Sequence, residues 1–234
     1  MKSSGYISLT GNQIKILALI FMTCDHIGFY LMDAGSVSYE ILRVIGRLAL
    51  PLFAYMIAEG CRYTKNKKRH FFSIAGLALL CQLVFWFAEG SLYQSILVTF
   101  SLSVAVIYLL ELWNERRGFF FLLPLCAVIV VAIFGFFPQQ VIPKSDFAID
   151  YGFFGVMLPV AVYLAKGKWS RIMAAAFVLI LLAAESGGRQ WYSLLALLLL
   201  VLYNGKKGTW NLKYLFYVYY PLHLVVIYGI GFLL

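Results

Sequence analysis

Apolar stretches close to the length of a bilayer crossing, separated by short charged connections, dictate what this chain can fold into. The sequence of 234 residues contains about nine of them, each near the roughly 17 to 25 residues that cross a hydrocarbon core. They run Ile14 to Met32, Leu42 to Gly60, His70 to Glu89, Gln94 to Trp113, Gly118 to Phe137, Phe147 to Ala165, Ile172 to Glu185, Gln190 to Asn204 and Tyr214 to Leu234. Backbone polar groups in lipid must be satisfied within their own segment, so such stretches fold as helices. The expected architecture is all-α, a polytopic transmembrane helix bundle forming a single integral membrane domain over residues 1–234. Only 12% of the residues are charged and 63% are hydrophobic, against about 25% charged in a soluble domain. An ordinary soluble protein is thereby excluded. The first apolar run is interrupted by Asp25-His26 and followed by no small-residue cleavage site, so it is expected to remain in the mature protein.

The formal net charge of +9 does not point to nucleic acid, because the basic residues stand in short clusters between apolar runs. Such clusters orient a membrane protein. Lys2 and Lys15, then Arg62, Lys65, Lys67, Lys68 and Arg69, then Arg116 and Arg117 fall on one side of the expected bundle. Lys166, Lys168, Arg171, Lys206, Lys207 and Lys213 continue that side, while Arg43, Arg47, Lys144 and Arg189 share the other with several acids. The amino terminus is expected in the cytoplasm and the carboxyl terminus outside. Cys24, Cys61, Cys81 and Cys126 lie in or beside apolar runs without metal-ligand spacing, so neither a disulfide framework nor a metal site is expected. No Gly-rich phosphate loop or GxSxG elbow is present.

With no room for a soluble catalytic domain, chemistry must use polar side chains inside the bundle or at its mouths. Asp25-His26 lies about eleven residues into the first stretch, where both groups carry a substantial insertion cost. An imidazole there suits a general base, with a carboxylate tuning its charge or tautomer. Adjacent residues stand about 100° apart on a helix, so Asp25 has a second option, a cation on another helix. A purely structural hydrogen-bonded pair is the third. Arg43 and Arg47, four apart in Arg43-Val-Ile-Gly-Arg47-Leu-Ala-Leu-Pro51, share a helical face as a cationic clamp. Their planar forks suit phosphate or carboxylate, and Gly46 admits a close neighbour. The alternative is that they snorkel to headgroups or pair with Asp25 and Glu59. Pro51 is expected to kink the helix.

Glu59 fits an interfacial ion-pair partner, and the basic cluster from Arg62 to Arg69 fits topology, anionic lipid or nucleotide capture. Asp150, in Asp150-Tyr-Gly-Phe-Phe-Gly155, joins an acid to glycines that permit close helix packing. His223, in Tyr219-Tyr220-Pro221-Leu222-His223, sets another imidazole beside a helix-distorting proline. His70 sits beside basic residues at an expected interface.

These residues recur in an ordered set. Leu9-Thr10-Gly11 leads into Ile14-Lys15, followed by Asp25-His26-Ile27-Gly28 and by Arg43 to Phe53 running on to Glu59-Gly60. Val98-Thr99-Phe100-Ser101-Leu102, Asp150-Tyr151-Gly152, Tyr203-Asn204-Gly205-Lys206 and Tyr220-Pro221-Leu222-His223-Leu224 follow. In that order the chain resembles the TraX family, whose named member acetylates the amino terminus of F-type pilin. The resemblance implies an integral membrane acetyltransferase of the bacterial cytoplasmic membrane, using acetyl-CoA and an extracytoplasmic acceptor amine or hydroxyl. Distant acyltransferase relatives carry an arginine before a first-span histidine with ten residues between the two; Lys15 stands at that spacing from His26. On this footing His26 is the base, Asp25 its electrostatic partner, and Arg43, Arg47, Lys15, Asp150 and His223 the candidate substrate-binding set. The acceptor attacks the thioester directly or through an acetyl-histidine intermediate. Acetyl-CoA being cytoplasmic, its pantetheine would reach inward to His26, about 18 Å of helical rise from Ile14.

Two other classes fit the same residues. A proton-coupled small-solute transporter would use Asp25, His26 and His223 as a relay. A non-catalytic assembly partner would keep its function without His26. No feature identifies the acceptor, which is a protein amino terminus, a sugar or a lipid headgroup.

Overall fold

The computed structural model describes residues 8–210 and 212–233. Lys2, the side chain of Lys213 and Leu234, all invoked above, lie outside the described residues. The helices are α1 (Gly11–Leu31), α2 (Val37–Gly46), α3 (Ala49–Tyr63), α4 (Lys67–Glu89) and α5 (Ile96–Arg116). Then come α6 (Leu122–Phe136), the short α7 (Pro138–Val141), α8 (Gly152–Leu164), α9 (Lys168–Ser186), α10 (Ala196–Leu202) and α11 (Lys213–Leu233). Stretches of 3-10 helix precede α6 at Gly118–Phe121 and α10 at Gly188–Leu195.

An all-α bundle is what the apolar runs demanded, but the expected nine spans need correction. Six helical stretches among the described residues are long and apolar enough to cross a membrane. They are Gly11–Leu31, Val37–Tyr63, Lys67–Phe87, Ile96–Arg116, Gly118–Phe136 and Lys168–Ser186. The other three expected spans yield shorter apolar helices, Gly152–Leu164, Gly188–Leu202 and Val218–Leu233. In the first two of these, apolar length did not become helical length, whereas α11 as a whole runs 21 residues from Lys213 to Leu233. Before Gly152 the chain runs extended, Gln94 bridging to Ile149, which leaves 13 helical residues, about 20 Å at 1.5 Å per residue against a core of about 30 Å. The stretch from Gly188 opens as 3-10 helix for 8 residues before α-helix begins.

The expected second span is also divided. α2 ends at Gly46 and α3 starts at Ala49, so Pro51 falls in the first turn of a new helix. There its missing N–H leaves no intrahelical bond unmade.

The chain divides into two compact units, one of Met1–Met56 with Ala183–Leu234 and one of Ile57–Leu182. In the first, Thr10 and Gln13 form a reciprocal capping box at the start of α1. The N–H groups of Gly11 and Asn12, which no helical carbonyl can satisfy, donate to the carbonyls of Lys206 (2.7 Å) and Lys207 (2.9 Å). The Asn204 amide donates a further bond to the Leu9 carbonyl at 2.9 Å. The Leu9-Thr10-Gly11 and Tyr203-Asn204-Gly205-Lys206 motifs are therefore two halves of one helix-start structure. Ile14, Ala18 and Met22 form the buried stripe of α1.

In the second unit, α5 packs against α8. Ser103 Oγ lies 2.9 Å from the Thr99 carbonyl and 2.8 Å from that of Val156, and Thr99 Oγ1 donates to the Asp150 carbonyl at 2.8 Å. Val104, Ile107 and Val160 lie in one of its buried clusters. One end of this unit gathers the end of α3, the start of α4, the ends of α5 and α8 and the start of α9, tied by Lys67–Glu111 (2.8 Å), Lys67–Glu115 (3.2 Å) and Arg171–Glu59 (2.7 Å). Arg62 also donates there to the Tyr163 carbonyl at 2.6 Å. The basic residues between Arg62 and Arg69, with Arg116, Arg117, Lys166, Lys168 and Arg171, all belong to that end. Glu89, Lys144, Asp146 and Asp150 belong to the opposite one.

Candidate functional site

The polar residues of the first unit collect on two faces of α1. On one face Asp25 meets the end of α2. Its Oδ2 accepts from Arg43 Nη1 and its Oδ1 from Arg47 Nη2, each at 2.6 Å, with all three side chains 14–16% exposed. Two cations on one carboxylate leave the cluster one positive charge in surplus. Arg43 Nε is buried without a hydrogen-bond partner, and its guanidinium lies 5.0 Å from the centroid of the Phe29 ring.

Two glycines make this approach possible. A Cβ on Gly46 would stand 2.2 Å from Asp25 Oδ1 and 2.3 Å from Asp25 Cβ, and one on Gly28 would stand 2.9 Å from Leu42 Cβ. The close neighbour that Gly46 admits is the Asp25 side chain itself.

On the other face, Thr23, His26 and Tyr30 recur at helical spacing and meet α11. Thr23 and Tyr219 share a hydroxyl–hydroxyl bond of 2.7 Å, and Tyr228 donates to Tyr30 at 2.9 Å. Between them His26 Nδ1 lies 2.7 Å from His223 Nε2, and His223 Nδ1 lies 2.9 Å from the Tyr219 carbonyl oxygen. The rings of His223 and Tyr219 stack with centroids 5.3 Å apart and planes 8° from parallel. His223 is buried and His26 half-buried.

Of the expected site residues, Asp25, His26, Arg43, Arg47 and His223 thus belong to one unit and meet across α1. Of the options open to Asp25, the structure displays the cation on another helix, and both arginines take Asp25 while Glu59 pairs with Arg171. Lys15 stands about 16 Å of helical rise before His26, outside this cluster. Asp150 belongs to the second unit, where its Oδ1 accepts from the Tyr93 hydroxyl at 2.7 Å. His70 is also in that unit, 2.7 Å from the Tyr108 hydroxyl.

Sequence reasoning did not single out Thr23, Tyr30 or Tyr228, and it quoted Gly28 only as the end of the Asp25-His26-Ile27-Gly28 motif. For Thr23 and Tyr30 a signal existed: polar groups three before and four after His26 mark a polar stripe on an apolar helix. Tyr228 and its distant pairing had none.

Among known proteins, the family described as TraX protein matches residues 10–231. The chain is 28% identical over 247 aligned positions, covering 94% of it and 95% of the relative, to the probable fimbrial assembly protein FimC, serogroup H1, of Dichelobacter nodosus. It is 29% identical over 167 positions to an uncharacterized protein of Rickettsia prowazekii (strain Madrid E), covering 71% of this chain and 60% of that one. No solved structure matches.

Proposed function

The chain belongs to the TraX family, and from that premise we propose an integral membrane acyltransferase that moves acetyl from cytoplasmic acetyl-CoA to an extracytoplasmic amine or hydroxyl. His26 serves as the general base. The observation that carries this proposal is the state of its ring: Nδ1 is engaged by His223, while Nε2 has no hydrogen-bond partner among the described residues. An imidazole nitrogen left open on a helix of apolar length is placed to take a proton.

Acetyl-CoA is anionic, and its carbonyl oxygen gains charge during transfer. The cluster suits both properties, since it holds one surplus positive charge and the unpartnered Arg43 Nε–H. Arg43 and Arg47 would hold the donor or its developing oxyanion, fixed in place by Asp25. His26 Nε2 accepts the proton of the acceptor as the acceptor's nitrogen or oxygen bonds to the acetyl carbon. The carbon–sulfur bond then breaks, and the proton passes from His26 to the departing thiolate. A relay transporter would want the Asp25 carboxylate beside the imidazole, and both of its oxygens are instead bonded to arginines.

The strongly basic end of the second unit is assigned to the cytoplasm by the positive-inside rule, in a bacterial cytoplasmic membrane. The Dichelobacter relative is named for fimbrial assembly, which favours the amino terminus of a pilin-type subunit as acceptor. The test is acetyl-CoA binding to detergent-purified protein by calorimetry, with CoA as competitor, followed by labelled acetyl transfer to a pilin-type amino-terminal peptide. Saturable binding is expected in wild type and in His26→Ala, with transfer by the variant reduced about 10²- to 10⁴-fold. Folded protein that binds no acetyl-CoA would refute the enzyme and bring the transporter forward.

A further inference from the structure

Two contacts in series determine where the proton on His26 resides. A carbonyl oxygen only accepts, so His223 Nδ1, at 2.9 Å from the Tyr219 carbonyl, must carry a hydrogen. A neutral imidazole carries one N–H, so His223 Nε2 is bare and accepts. His26 Nδ1 stands 2.7 Å from that nitrogen and must therefore donate. Of the two unprotonated nitrogens, His223 Nε2 is occupied by this bond, and His26 Nε2 is left to take up a proton.

We infer that His223 is a positioning residue that holds His26 in the Nδ1–H tautomer through the Tyr219 carbonyl, thereby choosing Nε2 as the basic atom. Neutral imidazole in water favours the opposite tautomer, so the chain of contacts works against an intrinsic preference. When Nε2 takes up a proton, His26 still donates from Nδ1 to the same acceptor, and neither ring has to turn. His223 thus takes the place behind the base that a carboxylate would otherwise hold. Asp25 is unavailable for it, because both its oxygens are bonded to arginines. The stacking of His223 on Tyr219 fixes the acceptor ring in turn. The catalytic consequence rests on His26 being the base; the tautomer itself does not.

The experiment is ring ¹⁵N NMR of histidine-labelled, detergent-purified protein at about pH 8, where an ordinary imidazole is neutral. Three histidines give three sets of ring signals, and His70→Gln and His26→Gln assign them. Both His26 and His223 are expected as Nδ1–H forms. His223→Phe keeps a flat ring of similar size against Tyr219 but removes the acceptor, and should shift His26 to the Nε2–H form. His223→Gln presents an amide oxygen near the lost Nε2 and should restore Nδ1–H. In transfer assays, His223→Phe should lower kcat at least about tenfold with KM for acetyl-CoA unchanged, and His223→Gln should recover most of it. A wild-type His26 found as Nε2–H, or one unmoved by His223→Phe, overturns the assignment whatever the activity. Absence of acetyl transfer from a protein whose His26 follows the expected tautomer pattern confirms the assignment and refutes the acyltransferase.

Discussion

Gly46→Ala puts the contact between α1 and α2 to a direct test. The added Cβ would lie 2.2 Å, 2.3 Å and 2.6 Å from Oδ1, Cβ and Cγ of Asp25, where nonbonded carbons normally stand about 3.5 to 4.0 Å apart. The carboxylate oxygen could swing away, but Asp25 Cβ is fixed by the backbone of α1. One helix must therefore move by more than about 1 Å, and overpacking of this kind costs about 1–3 kcal/mol. The same movement lengthens the 2.6 Å bonds from Arg43 and Arg47. Losing one hydrogen bond to a charged group adds about 1.5–3 kcal/mol, so a total destabilisation of about 2.5–6 kcal/mol is expected. Denaturant unfolding of the purified protein in mild detergent, followed by circular dichroism, measures it. Gly76→Ala in α4 is the control, since its Cβ would meet nothing within 4 Å and helix propensity favours alanine there by up to about 1 kcal/mol. Gly46→Ala within about 0.5 kcal/mol of wild type would mean that α1 and α2 do not meet through Asp25 as described.

The Asp25 cluster predicts an order of severity. Asp25→Asn leaves two largely buried guanidiniums facing each other and should cost about 3–5 kcal/mol, whereas Arg43→Met leaves the Asp25–Arg47 pair neutral and should cost about 1.5–3 kcal/mol. The same unfolding assay, showing Arg43→Met as the more damaging, would refute the surplus charge assigned to the cluster. At the loop end of the second unit, Asp146 accepts from Ser91 Oγ (2.6 Å) and the Leu92 amide (2.9 Å), which hold its carboxyl below the ordinary carboxylate range. A depressed folded pKa means that the tether is complete above the ordinary aspartate value, about 3.9, and is lost as pH falls through the lower folded value. Hydrogen exchange at the Leu92 amide, corrected for intrinsic pH dependence, should stay protected at pH 5 and lose protection only in strong acid; loss by about pH 5 would contradict the bonding.

Helical class was legible in the sequence because lipid allows apolar runs almost no other fold. Span length was less so. Hydropathy records which residues prefer lipid, but the extended stretch before Gly152 and the 3-10 start at Gly188 are set by tertiary pairing, such as the bond from the Asp150 amide to the Gln94 carbonyl. Arg43 and Arg47 were readable as a clamp from their spacing, and Gly46 between them as a point of close approach, yet only the packing of α1 on α2 reveals that their anion is Asp25. His26 was visible as a costly imidazole in an apolar helix. Its partner His223 lies 197 residues further along the chain, and no local pattern could join them. The adjacency of Asp25 and His26 suggests a dyad, but a step of about 100° around the helix sends the carboxylate to α2 and the imidazole to α11. That separation leaves one helix carrying the Asp25–Arg43–Arg47 cluster, with one positive charge in surplus, on one face and the His26–His223 pair on the other.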